Sequence, residues 1–215
     1  RHVSGLGHDG ESGDPSPFTA HGVFCAMKSA VRYCFGRDDM KGLRVAIQGV
    51  GHVGAHLARE LHEAGAQLVL TDVDRDSLGL LSDELGALSV APEEIFDAEV
   101  DVFAPCAMGA VLTEGVAGRL RARAICGAAN NQLATPVVAE LLHRRGILYT
   151  PDYVANAGGV IEVEAQRHEN YDRDAVMRHV ERIAATVDEI LARAQAQDTS
   201  PAGIADQLAR ERLQG

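Results

Sequence analysis

Arg44-Val45-Ala46-Ile47-Gln48-Gly49-Val50-Gly51-His52-Val53-Gly54 is the stretch on which the reading of this chain turns. A short apolar run rich in β-branched residues leads directly into Gly-x-Gly-x-x-Gly, and apolar residues at helical spacing follow as far as Ala64. A strand that feeds such a turn and then a helix is the context that makes the glycine pattern informative. Gly49 permits the tight turn, Gly51 lets the backbone approach a pyrophosphate, and Gly54 lets helix and strand pack closely. The amides of His52 and Val53, between the second and third glycines, lie at the helix start, where free N–H groups attract phosphate charge. Asp72 closes the next apolar run, about 20 residues past the glycines, where a ribose-binding carboxylate is expected. That carboxylate would repel a 2′-phosphate, so the pattern favours NAD, with the nearby Arg75 keeping NADP as the alternative.

Outward from this turn the chain alternates short apolar runs with longer helical stretches, the rhythm of a parallel sheet covered on both faces. The predicted strands are 44–48, 67–71, 87–90, 101–104, 124–126 and 147–149. Helices are predicted at 53–64, 75–85, 113–120 and 135–145, the last opened by Thr135 as cap and Pro136 as first helical residue. Upstream, Val23, Met27, Ala30, Val31 and Cys34 share one stripe of a helix from Thr19 to Gly36, with the Thr19 hydroxyl placed to cap free amides or face a ligand. Residues 1–18, dense in glycine and proline, read as a leader or hinge. Residues 19–168 read as the dinucleotide-binding core and 169–215 as C-terminal helices, with one long amphipathic segment carrying Val176, Val180, Ile183, Val187 and Ile190. The expected fold is an α/β, Rossmann-like doubly wound sheet forming a single domain.

The 215 residues carry 20 Lys+Arg against 31 Asp+Glu, a formal charge of -11, which argues against a sequence-independent grip on nucleic acid or on anionic lipid. No run approaches the roughly 20 apolar residues that span a bilayer, and the first residues have no signal-peptide core, so the expectation is a cytoplasmic protein. A chain that starts Arg1-His2-Val3, without methionine, reads as a piece of something longer. The four cysteines, Cys25, Cys34, Cys106 and Cys126, form no CxxC pair and read as reduced, buried thiols. His52, His56 and His62 have no HExxH or cysteine partner and read as surface residues, so no metal site is expected.

Three loops of small residues and amides follow the fourth, fifth and sixth strands: Pro105 to Gly109, Gly127 to Gln132, and Pro151 to Gly159. Ligands of open α/β sheets bind at such carboxyl ends. Asn130, Asn131 and Asn156 offer both donors and acceptors there.

The runs PSPFTAHGV, VAIQGVGHVGAHLARELHEAGAQLVLTDVD, FAPCAMG, GAANNQLA and GILYTPDYVANAGGVIEV together resemble the glutamate/leucine/phenylalanine/valine dehydrogenases, in their leucine, valine and phenylalanine branch. The resemblance is to the C-terminal, cofactor-binding half of those enzymes. It implies NAD-dependent, reversible oxidative deamination of a branched-chain or aromatic L-amino acid to the 2-oxo acid and ammonia. It also implies an N-terminal substrate domain, absent from this chain, and a homo-oligomeric parent enzyme.

On this resemblance Thr19 lies at the nicotinamide carboxamide, Gly49 to Gly54 form the pyrophosphate turn, and Asp72 binds the adenosine ribose, with Cys106 and Ala107 beside it. Asn130 and Asn156 line the nicotinamide end, Asn131 holds the substrate carboxylate, and Val160 and Val163 wall the side-chain pocket. Their i, i+3 spacing sets both valines on one helical face while Glu162 and Glu164 point elsewhere, which leaves nothing to pair a substrate γ-carboxylate. Asn130 departs from the leucine enzymes, where leucine is frequent, so the choice of amino acid stays open. The family's acid/base lysine and its partner aspartate belong to the N-terminal domain. Lys28, inside a helix, and Lys41, in a turn, match neither motif, so no catalytic residue is assigned here and the chain alone is expected to be inactive. A stand-alone NAD-binding sensor is the rival reading, though it gives Asn131 and the valine wall no purpose.

Overall fold

A computed structural model describes residues 13–168 and 170–214. Six strands form one sheet in the order β3-β2-β1-β4-β5-β6, and every pairing is parallel. They are β1 (Arg44–Gln48), β2 (Gln67–Thr71), β3 (Leu88–Ser89), β4 (Val102–Pro105), β5 (Ala124–Ile125) and β6 (Leu148–Tyr149). Val45 and Ile47 of β1, Val102 and Ala104 of β4, and Leu148 of β6 join one core cluster, while Ala46, Phe103 and Tyr149 join another on the opposite face. Period-2 alternation therefore buries both faces, and the strands read as continuous apolar runs for that reason.

One face is covered by α1 (Ser16–Phe35), α2 (His52–Glu63), α3 (Arg75–Leu85), α8 (Arg173–Glu181) and α9 (Ile183–Gln197), the other by α4 (Glu114–Arg119) and α5 (Val137–Arg144). The short α6 (Asp152–Ala155) and α7 (Gly158–Ala165) follow β6, and α10 (Pro201–Gln214) packs on α9 through Ile204, Ala205 and Leu208. Among the described residues no helix is long and apolar enough to cross a membrane.

Four expectations are corrected. Helix α1 starts at Ser16 rather than Thr19, so the leader ends sooner; residues 1–12 of that leader lie outside the described residues. Prolines are tolerated in a helix's first turn, which is why Pro17 does not delay the start. Thr135 caps nothing: α5 begins at Val137 with Pro136 as its N-cap and no side-chain hydrogen bond. The long amphipathic segment is two helices, α8 and α9, parted at Arg182. The third, fifth and sixth strands shrink to two residues each.

Candidate dinucleotide and substrate site

The strand order reverses between β1 and β4, and the glycine turn sits at that crevice, the place where open parallel sheets bind ligands. Gly49 has φ +98 and its amide donates to the Thr71 carbonyl at 2.8 Å. A Cβ there would also lie 2.7 Å from the Ala107 amide nitrogen, so the loop after β4 rests on the turn. Gly54 is buried with its Cα facing the Gly49 carbonyl, which holds α2 against the end of β1. Gly51 is the N-cap of α2, without a capping side chain, and the space where its Cβ would stand is open. The first helical bond of α2 is Ala55 N to Gly51 O at 2.8 Å, leaving the amides of His52, Val53 and Gly54 without intrahelical partners. The His52 side chain is exposed, and that of Val53 packs on the core beneath the turn.

Half-buried Asp72 accepts from the Val50 amide through Oδ2 at 2.6 Å and from the Asp74 amide through Oδ1 at 2.9 Å. It thus ties the end of β2 to the glycine turn and keeps lone pairs for further donors. Free amides over an open glycine, with a fixed carboxylate one strand away, fit a pyrophosphate and an adjoining ribose. The Cys106 amide donates to the Gln48 carbonyl at 2.7 Å, and desolvation pushes its thiol up to about 12. The uncharged sulfur and exposed Ala107 make a neutral wall beside the turn.

At the far end of the crevice the loops after β5 and β6 meet. Asn156 Nδ2 donates to Asn130 Oδ1 at 2.7 Å and to the Ala128 carbonyl at 3.2 Å, so these two candidates form one amide pair. Asn131 is exposed with φ +52, and its carbonyl accepts from the Ala110 amide at 2.6 Å, joining the loops after β4 and β5. Thr19, in the first turn of α1, donates from Oγ1 to the Pro15 carbonyl at 3.0 Å, so it caps no amide. Its hydroxyl instead faces Gly159, where a Cβ would collide with it. The start of α1 and the start of α7 therefore touch, with Gly158 against the Phe18 carbonyl.

Val160 is 73% exposed and Val163 half-buried on α7, the helix that follows the Asn156 loop. Glu162 turns inward, accepting from Gln166 Nε2 and Tyr171 Oη, both at 2.8 Å, while Glu164 is exposed. Gln132 and its partner Asp152 are structural residues that the sequence reading does not single out. Fully buried Gln132 donates from Nε2 to the Gly127 and Ala129 carbonyls, both at 2.9 Å, and its amide donates to Asp152 Oδ2 at 3.1 Å. The run Asn130-Asn131-Gln132 offered a signal, three consecutive amides, but no indication that the third points into the protein.

Fold and crevice are those of a Rossmann-like α/β protein, with its ligand end built from a glycine turn, an acid and amide-bearing loops. The family model for Glutamate/Leucine/Phenylalanine/Valine dehydrogenase matches residues 10–88 and 83–214, and the chain belongs to that family. It is 41% identical over 214 residues to a leucine dehydrogenase of Geobacillus stearothermophilus, covering 99% of this chain and 58% of that protein. It is 40% identical over 208 residues to a valine dehydrogenase of Streptomyces coelicolor, covering 95% and 57%. The crystal structure of L-tryptophan dehydrogenase from Nostoc punctiforme superposes with a TM-score of 0.91 at 39% identity, covering 94% of this chain and 62% of that one. The chain thus spans less than two thirds of the length of these relatives.

Proposed function

We propose that this chain is the NAD-binding, C-terminal part of an L-amino-acid dehydrogenase that interconverts a branched-chain or aromatic amino acid with its 2-oxo acid and ammonia. The observation that carries this reading is Asp72, whose carboxylate holds the Val50 amide of the glycine turn at 2.6 Å. The nicotinamide cofactor, when bound, supplies the hydride acceptor for the substrate α-carbon. The amides of His52 and Val53, over Gly49, Gly51 and Gly54, hold the pyrophosphate. Asp72 accepts from the ribose hydroxyls and disfavours a 2′-phosphate, with Cys106 and Ala107 alongside. Thr19, Asn130 and Asn156 orient the nicotinamide end, and Asn131 donates to the substrate carboxylate. Val160 and Val163 take an apolar side chain by burying it, and the inward turn of Glu162 leaves the wall uncharged. A separate substrate domain carries the acid/base, and the parent enzyme is a homo-oligomer.

Calorimetric titration with NAD, NADP and the Asp72→Ala variant tests the cofactor assignment. Expected are NAD binding, weak NADP binding, and NAD affinity at least about tenfold lower in the variant at unchanged far-UV circular dichroism. Equal binding of the two nucleotides, or a variant indifferent to NAD, would sink the role given to Asp72.

A further inference from the structure

Away from the crevice, on the flank where α1 packs against α2 and α8, three side chains line up. Cys25 Sγ lies 3.6 Å from His21 Nε2, one helical turn earlier on α1, and His21 Nδ1 lies 3.1 Å from Glu60 Oε2 on α2. Glu181 Oε1 of α8 stands 3.9 Å from the same Nε2. A sulfur on an imidazole whose second nitrogen is held by a carboxylate is the arrangement that activates a nucleophile. Cys25 and His21 are half-buried rather than sealed in the core. Nothing in the proposed dehydrogenase chemistry uses any of the three residues.

We propose that Cys25 is a covalent modification site, a thiol that His21 and Glu60 make reactive toward hydroperoxides. The ionisable groups in contact with His21 are Cys25 on its own helix and the acids Glu60 and Glu181 on its neighbours, all of which favour an imidazolium. His21 is accordingly raised to about 10, chiefly by its hydrogen bond to Cys25 and next by that to Glu60. With Nε2 at hydrogen-bond distance from the sulfur, the imidazole holds the proton that the sulfur gives up when it attacks. The sulfur attacks one peroxide oxygen; an S–O bond forms and the O–O bond breaks. The departing hydroxide, or alkoxide from an alkyl hydroperoxide, takes the proton from His21 Nε2 and leaves as water or the alcohol. Sulfur is oxidised to a sulfenic acid by two electrons and the peroxide is reduced by the same two.

The other half-buried α1 thiol, Cys34, is an internal reference. Burial raises it to about 11, and the nearest cation, Arg123, only partly offsets this. The test exposes the chain to hydrogen peroxide at neutral pH with a sulfenic-acid trap and follows labelling of each cysteine by peptide mass spectrometry. Labelling of Cys25 at least about tenfold faster than Cys34, falling about tenfold in His21→Asn and also falling in Glu60→Gln, is the expected result. Comparable rates at the two thiols, or a Cys25 rate untouched by both variants, would overturn the proposal. If His21→Asn unfolds, buried Cys126 becomes labelled and reveals it, and Glu60→Gln, which keeps the side-chain shape, then decides.

Discussion

Gly51 and Gly158 look alike in sequence and have opposite surroundings. At Gly51, φ is -62 and no atom lies within 4 Å of an added Cβ, so alanine fits the folded chain. Gly51→Ala should cost no more than about 1 kcal/mol in a denaturant melt, from the loss of a glycine N-cap, yet weaken NAD binding because the methyl would stand where the pyrophosphate is proposed to lie. At Gly158 a Cβ would run into the Phe18 carbonyl, which is helix backbone and cannot swing away. Gly158→Ala should cost about 1–3 kcal/mol. Equal destabilisation by the two substitutions would show that the face of Gly51 is not open. The place of Asp72 at the end of β2, against the glycine turn, is legible in the sequence because its spacing from the glycines is set by one helix and one strand. Gln132 was not, because its partners are carbonyls whose positions depend on how two loops fold back. The Cys25, His21 and Glu60 cluster was equally hidden, since Glu60 lies 39 positions from His21 and only the packing of α2 on α1 joins them.

Elements were easiest to place where local chemistry and tertiary packing agree. Strands β1 and β2 fall on the predicted bounds because each is a complete apolar run closed by a turn. Helix α3 matches as well, with Asp74 capping its start and Gly86 at φ +61 closing it. Strands β3, β5 and β6 shrink because they pair with β2, β4 and β5 over only two residues each, a matter of neighbours rather than of composition. The break between α8 and α9 was hidden for a related reason. Val180 and Ile183 keep the three-residue spacing of a continuous stripe and both stay in the core, so periodicity carries across the interruption at Arg182. A two-helix segment makes α8 dependent on its own cap, Asp172, which accepts from the amides of Asp174 and Ala175 at 2.9 and 3.2 Å. Asp172→Ala should therefore lower stability by about 1 kcal/mol in thermal or denaturant unfolding. A variant as stable as the parent would mean that packing of Val176 and Val180 alone holds α8.

At the scale of the molecule, the sheet order places every proposed ligand-binding loop at one end, the carboxyl ends of β1, β2, β4, β5 and β6, and the chain's two lysines elsewhere. Lys41 precedes β1, whose five residues put it roughly 16 Å from the glycine turn at the opposite end of that strand. Lys28 lies nine residues along α1 from Thr19, about 13 Å of helix, with its Nζ 5.9 Å from the Phe24 ring centroid. Oxidative deamination needs a base near the substrate amine as well as a hydride acceptor, and hydrogen-bond reach is about 3 Å. On the proposed site, neither lysine is expected to supply that base. With NAD and L-leucine, L-valine, L-phenylalanine or L-tryptophan, the chain by itself should form no NADH, while the calorimeter still registers NAD binding. NADH formation at a steady rate, lost in Asp72→Ala, would place the base within these 215 residues and overturn the proposed division of labour.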